Sequence, residues 1–106
     1  RKIVSLGIKN YWVYLRAAQL QHRLGLFEES MAMANLAVYE NRHEHVEPFV
    51  LLAQNFHAVR QISRMLECFG RVEKLKGEQG LASIGPLYQA YRQMYQNLKK
   101  FAAETS

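Results

Sequence analysis

The stretch YLRAAQLQHRLGLFEESMAMANLA, residues 14–37, decides the fold because its pattern returns 35 residues later. The second copy is FVLLAQNFHAVRQISRMLECFGRV, residues 49–72. Apolar or small side chains fall at matched offsets in the two copies, as in the pairs Tyr14 and Phe49, Ala18 and Ala53, and Phe27 and Ile62. A period of this size indicates stacked supersecondary units, which most often bind other proteins.

Helical spacing of apolar residues predicts an all-α domain of five main helices, arranged as two helical hairpins and a closing helix. We expect the helices over residues 11–24, 27–41, 48–59, 61–75 and 86–103. The repeats span about 11–44 and 46–78 of this single domain. The helix-boundary signals are an N-cap at Asn10, a stop at Gly25, and starts at Pro48 and Pro86. The glycine-rich residues 76–85 are predicted to form a loop.

The same spacing predicts which side chains face the core. Ala18 and Ala53 are expected where the two helices of each hairpin meet, because small residues allow close approach. In the second helix the predicted inward stripe is Phe27, Met31, Ala34, Leu36 or Ala37, and Val38. In the last helix it is Leu87, Ala90, Tyr91, Met94, Leu98 and Phe101.

Composition and charge limit the classes of function. The 106 residues suffice for one domain, and an apolar fraction of 49% argues against disorder. Fourteen basic residues against nine acidic ones give a net charge of +5, which favours acidic partners or nucleic acid. The basic residues are scattered, however, with no run longer than two. Nucleic acid is therefore the less favoured partner.

The lone cysteine, Cys68, lies in an apolar helical pattern and is expected to be a small buried side chain. One cysteine allows no internal disulfide and fits a reducing compartment, so we expect a cytoplasmic protein. No apolar run reaches the ~18 residues that a membrane-spanning helix needs. The chain opens with Arg1 instead of Met, which predicts a fragment or a processed product.

Both copies of the pattern resemble the tetratricopeptide repeat, a 34-residue unit made of helix A, a turn and helix B. The aromatic, Leu, small and Tyr positions of helix A correspond to Tyr14, Ala17, Ala18 and Gln21, and then to Phe49, Leu52, Ala53 and Phe56. The turn glycine is present as Gly25 and replaced by Arg60. The position of helix B that is small in the family holds Ser30 in the first unit, but the larger Met65 in the second. The final proline of the family is missing from both units.

A shorter likeness concerns the string VEPFVLLA, residues 46–53. It is similar to a helix start in the tetratricopeptide-like chaperones of type III secretion needle subunits. Those proteins use a concave face to hold an aggregation-prone helix. The likeness therefore implies a chaperone-like role.

The tetratricopeptide resemblance also implies a binding groove lined by the inner face of each helix A. The matching residues are Trp12, Leu15, Gln19, His22, Arg23, Glu47, Val50, Gln54, His57, Tyr88, Arg92 and Tyr95. They mix aromatic anchors with amide and basic groups, as recognition of a peptide or helix requires. The alternative is that Trp12 and Tyr88 pack against neighbouring helices.

Residue patterns that carry catalysis are missing from the sequence. Aspartate is absent, and we find no Gly-rich phosphate loop, Ser/His/Asp set or Cys/His pair. His43 and His45 form a His-x-His pair, but a metal site needs three or four ligands. The acidic pair Glu28 and Glu29 suits the first turn of a helix, where it favours the helix dipole. We therefore expect no enzymatic activity, no metal and no cofactor.

The sequence predicts a non-enzymatic module that binds a peptide or helix of a partner protein, as a scaffold or chaperone. One alternative is an RNA-binding helical-repeat module, which needs basic residues along the groove. The groove offers only His22, Arg23, Arg92 and, more weakly, His57. The other alternative is a self-association domain, in which the apolar residues within 3–8 fill the groove of a neighbouring copy.

Overall fold

Five helices make up the part of the chain that the computed structural model describes, residues 7–41 and 45–105. They are α1 (Gly7–Arg23), α2 (Phe27–Tyr39), α3 (Glu47–Ala58), α4 (Ile62–Ile84) and α5 (Pro86–Thr105). No strand occurs among the described residues, so the predicted all-α class is confirmed. Most of the predicted apolar N-terminal arm lies outside the described residues.

Consecutive helices pack on one another, α1 on α2, α2 on α3, α3 on α4 and α4 on α5, and α1 also touches α3. The result is an elongated stack of 49 × 27 × 23 Å. Its radius of gyration, 14.5 Å, exceeds the ~13 Å typical of a globular chain of this length. None of the described helices combines the length and apolar character needed to cross a bilayer.

The turns that close the two hairpins have the same geometry, 35 residues apart. Gly25 has φ 81° and Arg60 has φ 66°, so a left-handed residue follows both α1 and α3. In each turn the N–H of this residue donates a hydrogen bond to the carbonyl oxygen three residues earlier. The N–H of the next residue donates to the carbonyl oxygen five residues earlier. The bonds are Gly25 to His22, Leu26 to Gln21, Arg60 to His57 and Gln61 to Phe56. The sequence repeat is thus also a repeat of backbone structure.

Arg60 occupies a conformation that glycine adopts freely and that costs a non-glycine residue roughly 1–2 kcal/mol. Its turn nevertheless forms both hydrogen bonds, at 3.0 and 2.8 Å. The missing turn glycine of the second unit therefore changes the energy of the turn and not its shape.

Two helix boundaries differ from the prediction. α1 begins at Gly7, so Asn10 is a buried residue inside the helix and not its N-cap. α4 continues through most of the predicted loop 76–85 and is interrupted only at Gly77, whose φ of 64° and ψ of −153° are not helical. Pro48 lies in the first turn of α3, and Pro86 begins α5, as predicted.

Gly80 lies in this helical segment because the packing there leaves no room for a side chain. A Cβ at this position would lie 2.8 Å from the Cβ of Lys76, 2.9 Å from Cγ1 of Val72 and 3.0 Å from the carbonyl oxygen of Val72. The second segment of α4 therefore packs on the first through a contact that only glycine permits. The loop prediction failed because a glycine needed for close approach was attributed to chain flexibility.

Small side chains lie at the centre of the stack. Ala18, Ala34, Ala37 and Ala53 are completely buried, and so are Ser30 and Met65. The predicted burial of Ala18 and Ala53 is confirmed, and of the pair Leu36 and Ala37 it is Ala37 that faces inward. Cys68 is buried as expected, and burial raises the pKa of its thiol to about 12.

The face that α5 turns to the core is not the predicted one. Tyr88 and Tyr95 are buried and stack edge-on against Phe69 of α4, with ring centroids 5.5 and 5.8 Å away. The residues predicted to face inward divide into half-buried Leu87 and Tyr91 and exposed Ala90, Met94, Leu98 and Phe101. The tyrosine face is selected because α4 offers it an aromatic ring and, at Glu73, an acceptor for the Tyr95 hydroxyl.

Two glycines within α4 should respond oppositely to alanine. Gly80→Ala forces a Cβ against Val72, so we expect the free energy of unfolding to fall by about 1–3 kcal/mol. At Gly70 a Cβ would meet only the Tyr95 hydroxyl, at 3.8 Å, so Gly70→Ala should stabilise by up to ~1 kcal/mol. Urea unfolding followed by circular dichroism measures both changes. Equal effects at the two positions would contradict the close contact.

Candidate binding groove

A first depression lies between α1 and the start of α3, with a volume of about 580 Å³. Its lining consists of Trp12, Leu15, Arg16, Gln19, Leu20, Arg23 and Glu47. Four of these, Trp12, Leu15, Gln19 and Arg23, are predicted groove residues. The depression combines an exposed aromatic and an exposed aliphatic side chain with two guanidinium groups and one carboxylate, so it offers both apolar and charged contacts.

Trp12 is held at the edge of this depression with 45% of its surface exposed. Its ring meets Tyr11 edge-on at a centroid distance of 4.9 Å and lies 5.6 Å from the ring of His45. Tyr11 is itself buried and stacks on His45 at 5.2 Å. Burial, with a further contribution from the Glu47 carboxylate, raises the pKa of Tyr11 to about 12. Trp12 is therefore a supported, half-exposed anchor.

A second depression of about 340 Å³ continues from the first, because both are lined by Gln19 and Glu47. Its other lining residues are Val46, Val50, Leu51, Gln54 and Ser83. It brings the predicted residues Val50 and Gln54 of α3 together with Gln19 of α1. Amide side chains thus lie on both walls.

A third depression, of about 190 Å³, lies between the second segment of α4 and α5. Its lining consists of Glu78, Leu81, Ala82, Tyr88, Gln89, Arg92 and Gln96. It shares no lining residue with the second depression, and the two meet in sequence where Ala82 adjoins Ser83 in α4. We call the three depressions together the concave groove.

His22 is predicted to line the groove, but its hydrogen bond points into the helix stack. Its Nδ1 lies 2.7 Å from Oδ1 of the completely buried Asn55. Asn55 Nδ2 donates to Ser30 Oγ at 2.9 Å, and Ser30 Oγ donates to the Ala18 carbonyl at 2.6 Å. Because Asn55 donates through its nitrogen, its oxygen accepts from His22, which carries a proton on Nδ1.

Sequence reasoning missed Asn55 and the role of Ser30. The available signal was an amide in α3 flanked by apolar residues on a predicted buried face, together with Ser30 at the position where helix B is small. A buried amide is almost always hydrogen-bonded, so its partners had to come from neighbouring helices. The hydrogen-bond chain joins α1, α2 and α3 inside the stack.

Two other predicted groove residues also make contacts within the stack. His57 meets Tyr91 of α5 edge-on at 5.5 Å. The Tyr95 hydroxyl donates to Glu73 Oε1 at 2.6 Å, and both oxygens of Glu73 accept from Lys99 at 3.0 Å. Burial and this hydrogen bond raise the pKa of Tyr95, while the bonds from Tyr95 and Lys99 lower the pKa of Glu73. Tyr95 therefore fastens α5 to α4 and lies outside the groove.

Leu15 and Tyr88 border the groove but are themselves buried. For Tyr88 the alternative stated from the sequence, packing against a neighbouring helix, is what the Phe69 contact shows. Several exposed groove residues were not selected by the sequence reasoning, namely Arg16, Leu20, Gln89 and Gln96 of α1 and α5, and Glu78, Ala82 and Ser83 of α4. Those of α1 and α5 are each one residue from a selected position, and those of α4 fall in the segment that was predicted to be a loop.

Two further depressions, of about 330 and 600 Å³, are lined by residues of α2, α3 and α4 and share none with the concave groove. Phe49, Val38 and Arg71 line both, and the Arg71 guanidinium lies 5.6 Å from the centre of the Phe49 ring. Arg64 and Lys74 add two more basic groups to these depressions. Three basic residues of α4 thus line depressions that are separate from the concave groove.

The predicted His-x-His pair falls partly outside the described residues, since His43 is not among them. His45 lies against Tyr11, and the Asn41 side chain accepts from its N–H and donates to its carbonyl, at 2.9 and 2.8 Å. Within residues 7–41 and 45–105 no three side chains of the metal-binding types come together.

Asn55→Ala should destabilise the fold. The change leaves His22 and Ser30 without their shared partner in a buried site, so we expect a loss of about 1–3 kcal/mol in the free energy of unfolding. Gln54→Ala is the matched control, since this neighbouring amide lines the groove and is partly exposed, and its effect should stay within about 0.5 kcal/mol. Urea midpoints that fall equally in both variants would contradict the importance of the hydrogen-bond chain.

Comparison of the chain with models of protein families, with curated protein sequences and with solved structures gave no match. The resemblance to tetratricopeptide repeats and the shorter likeness to needle-subunit chaperones therefore stay predictions from the sequence pattern.

Proposed function

We propose that this chain is a non-enzymatic binding module that holds a peptide or helix of a partner protein in the concave groove. The observation that carries the proposal is that the first two depressions join through Gln19 and Glu47 along α1 and α3, with the third lying farther along the stack beside α5. A segment lying in it would contact α1, α3 and α5 in turn. Scaffolds and chaperones bind extended or helical segments in this way.

The lining matches recognition of protein better than recognition of nucleic acid. Trp12 and Leu20 supply exposed apolar surface at one end, and a half-buried tryptophan is a frequent source of binding energy. Gln19, Gln54 and Gln89 supply uncharged donors and acceptors along the length. Such groups orient a polypeptide without requiring charge.

Charge along the groove is mixed. Arg16 and Arg23 share the first depression with Glu47, and Arg92 shares the third with Glu78. A nucleic-acid strand would meet carboxylates as well as guanidinium groups, which weakens a phosphate-driven complex. A protein segment with both signs of charge fits this lining. The single buried thiol, Cys68, fits a reducing compartment, and on that basis we propose a cytoplasmic location.

Site-specific photocrosslinking tests the groove. A photoreactive benzophenone side chain is placed at Leu20, Gln54 or Gln89, one in each depression. The control position is the exposed Ala90, which is about 100–160° around α5 from the groove residues of that helix. After irradiation in a lysate of the source cell, we expect the three groove positions to label one protein segment, at sites that follow one another along that segment. Labelling of RNA, or of one segment from Ala90 alone, would count against the proposal.

Trp12→Ala should then weaken binding of a synthetic peptide of the labelled segment by about 2 kcal/mol or more, roughly thirtyfold in Kd. The tryptophan lies at the groove edge, so covering it should also shift its fluorescence in the wild-type protein. The matched control is Val13→Ala, which removes an apolar side chain that is 62% exposed and does not line the groove. Isothermal titration calorimetry gives both affinities, and circular dichroism checks that both variants stay folded. Equal affinities would place the partner elsewhere.

A further inference from the structure

The last helix has an apolar pattern that the fold of a single chain buries only in part. Leu87, Tyr91, Met94, Leu98 and Phe101 follow one another at spacings of 4, 3, 4 and 3 residues. This is the heptad spacing of helices that pair along their length. We call these five residues the α5 seam.

The seam lies apart from the face that fixes α5 to the stack. With about 100° of rotation per residue, its centre is about 100° around the helix from Tyr88 and Tyr95. Met94 is 49% exposed, Leu98 44% and Phe101 64%, while Leu87 and Tyr91 are half-buried. Tyr91 leans on His57 of α3. A heptad stripe is therefore open to solvent over its second half.

The seam is also distinct from the concave groove. Gln89, Arg92 and Gln96 of α5 line the groove and lie on the far side of the helix from Met94 and Leu98, about 150° away. A partner on the seam would therefore not displace a segment in the groove.

Charge decides which helix fits the seam. Between Leu87 and Phe101 the flanking positions on the solvent side are Ala90 and Asn97, and both are uncharged. Arg92 lies on the groove side, and Lys99 is bound to Glu73. A partner helix with acidic or basic flanks would find no opposite charge beside this seam. A second α5 has the same neutral flanks, so two copies can meet without placing like charges opposite each other despite the net charge of +5.

We propose that two copies of this chain associate through their α5 seams, antiparallel, with Met94 on the two-fold axis. In this register Tyr91 meets Leu98 of the second copy and Leu87 meets its Phe101. Each aromatic ring then faces an aliphatic side chain, and the small Ala90 faces Asn97. A parallel register would instead stack Tyr91 on Tyr91 and Phe101 on Phe101. A two-fold interface is self-complementary, as identical seams require.

The interface is small, because each copy contributes one stripe of five side chains. It falls at the low end of specific interfaces, roughly 1,200 Å² or less in total, where association is typically weak. The dimer should therefore appear as the protein concentration rises and dissociate on dilution.

Sedimentation equilibrium over a range of protein concentrations tests the proposal. We expect the wild-type mass to rise from that of one chain towards that of two. Met94→Glu places two carboxylates together at the two-fold axis and should hold the protein at the mass of one chain throughout. Gln93→Glu is the matched control, since it adds the same charge one residue away and off the seam, and it should still dimerise. Circular dichroism should show unchanged helicity in both, because both positions are exposed.

Cysteine crosslinking tests the register. An equimolar mixture of Leu87→Cys and Phe101→Cys should form a disulfide-linked dimer of one copy of each, while neither variant should crosslink alone. The buried Cys68 does not interfere, since burial raises the pKa of its thiol to about 12. Trp12→Ala should dimerise normally. A wild-type protein that stays monomeric, or a dimer that survives Met94→Glu, overturns the proposal, and self-crosslinking of Leu87→Cys overturns the antiparallel register.

Discussion

One buried amide sets the arrangement of the first three helices. Asn55 is completely buried, and an unpaired amide there would be costly, so its position must satisfy His22 of α1 and Ser30 of α2 together. Ser30 in turn holds the Ala18 carbonyl. The three bonds together restrain how the three helices are rotated about their axes. The observed rotation turns Trp12 and Gln19 of α1 towards Glu47 and Gln54 of α3, and the concave groove is the consequence.

Small residues and tight turns make that arrangement reachable. Ala18, Ala34, Ala37 and Ala53 let the helices approach, while the left-handed residue after α1 and after α3 reverses the chain in the same way twice. The second turn uses Arg60, at a conformational cost of roughly 1–2 kcal/mol. The hairpin keeps its geometry because the fully buried Met65 and Phe69 of α4 pack against the stack and outweigh that local cost.

Periodicity gave the helices, the hairpins and the buried alanines, because each depends on side-chain spacing within a single helix. It failed where the outcome depends on a neighbouring helix. Gly80 was assigned to a loop because spacing does not show that the two segments of α4 pack on each other at Val72. On α5 the face that packs against α4 carries Tyr88 and Tyr95 and is not the more apolar stripe. The reason is that α4 provides an aromatic ring and a carboxylate for the two tyrosines. For the groove, spacing located Trp12, Gln19, Val50, Gln54 and Arg92 but could not reveal the hydrogen bond of His22 to Asn55.

The two proposed association surfaces lie on different faces of α5. The face that carries Tyr88 and Tyr95 packs against α4, and near its C-terminal end Lys99 forms a salt bridge with Glu73. What remains is a polar groove side and an apolar seam, about 150° apart on the same helix. Because the surfaces do not overlap, a segment held along α1, α3 and α5 leaves the seam uncovered. Pairing of two seams would then bring two grooves into one particle, so a weak dimer could bind two linked segments more tightly than either groove alone.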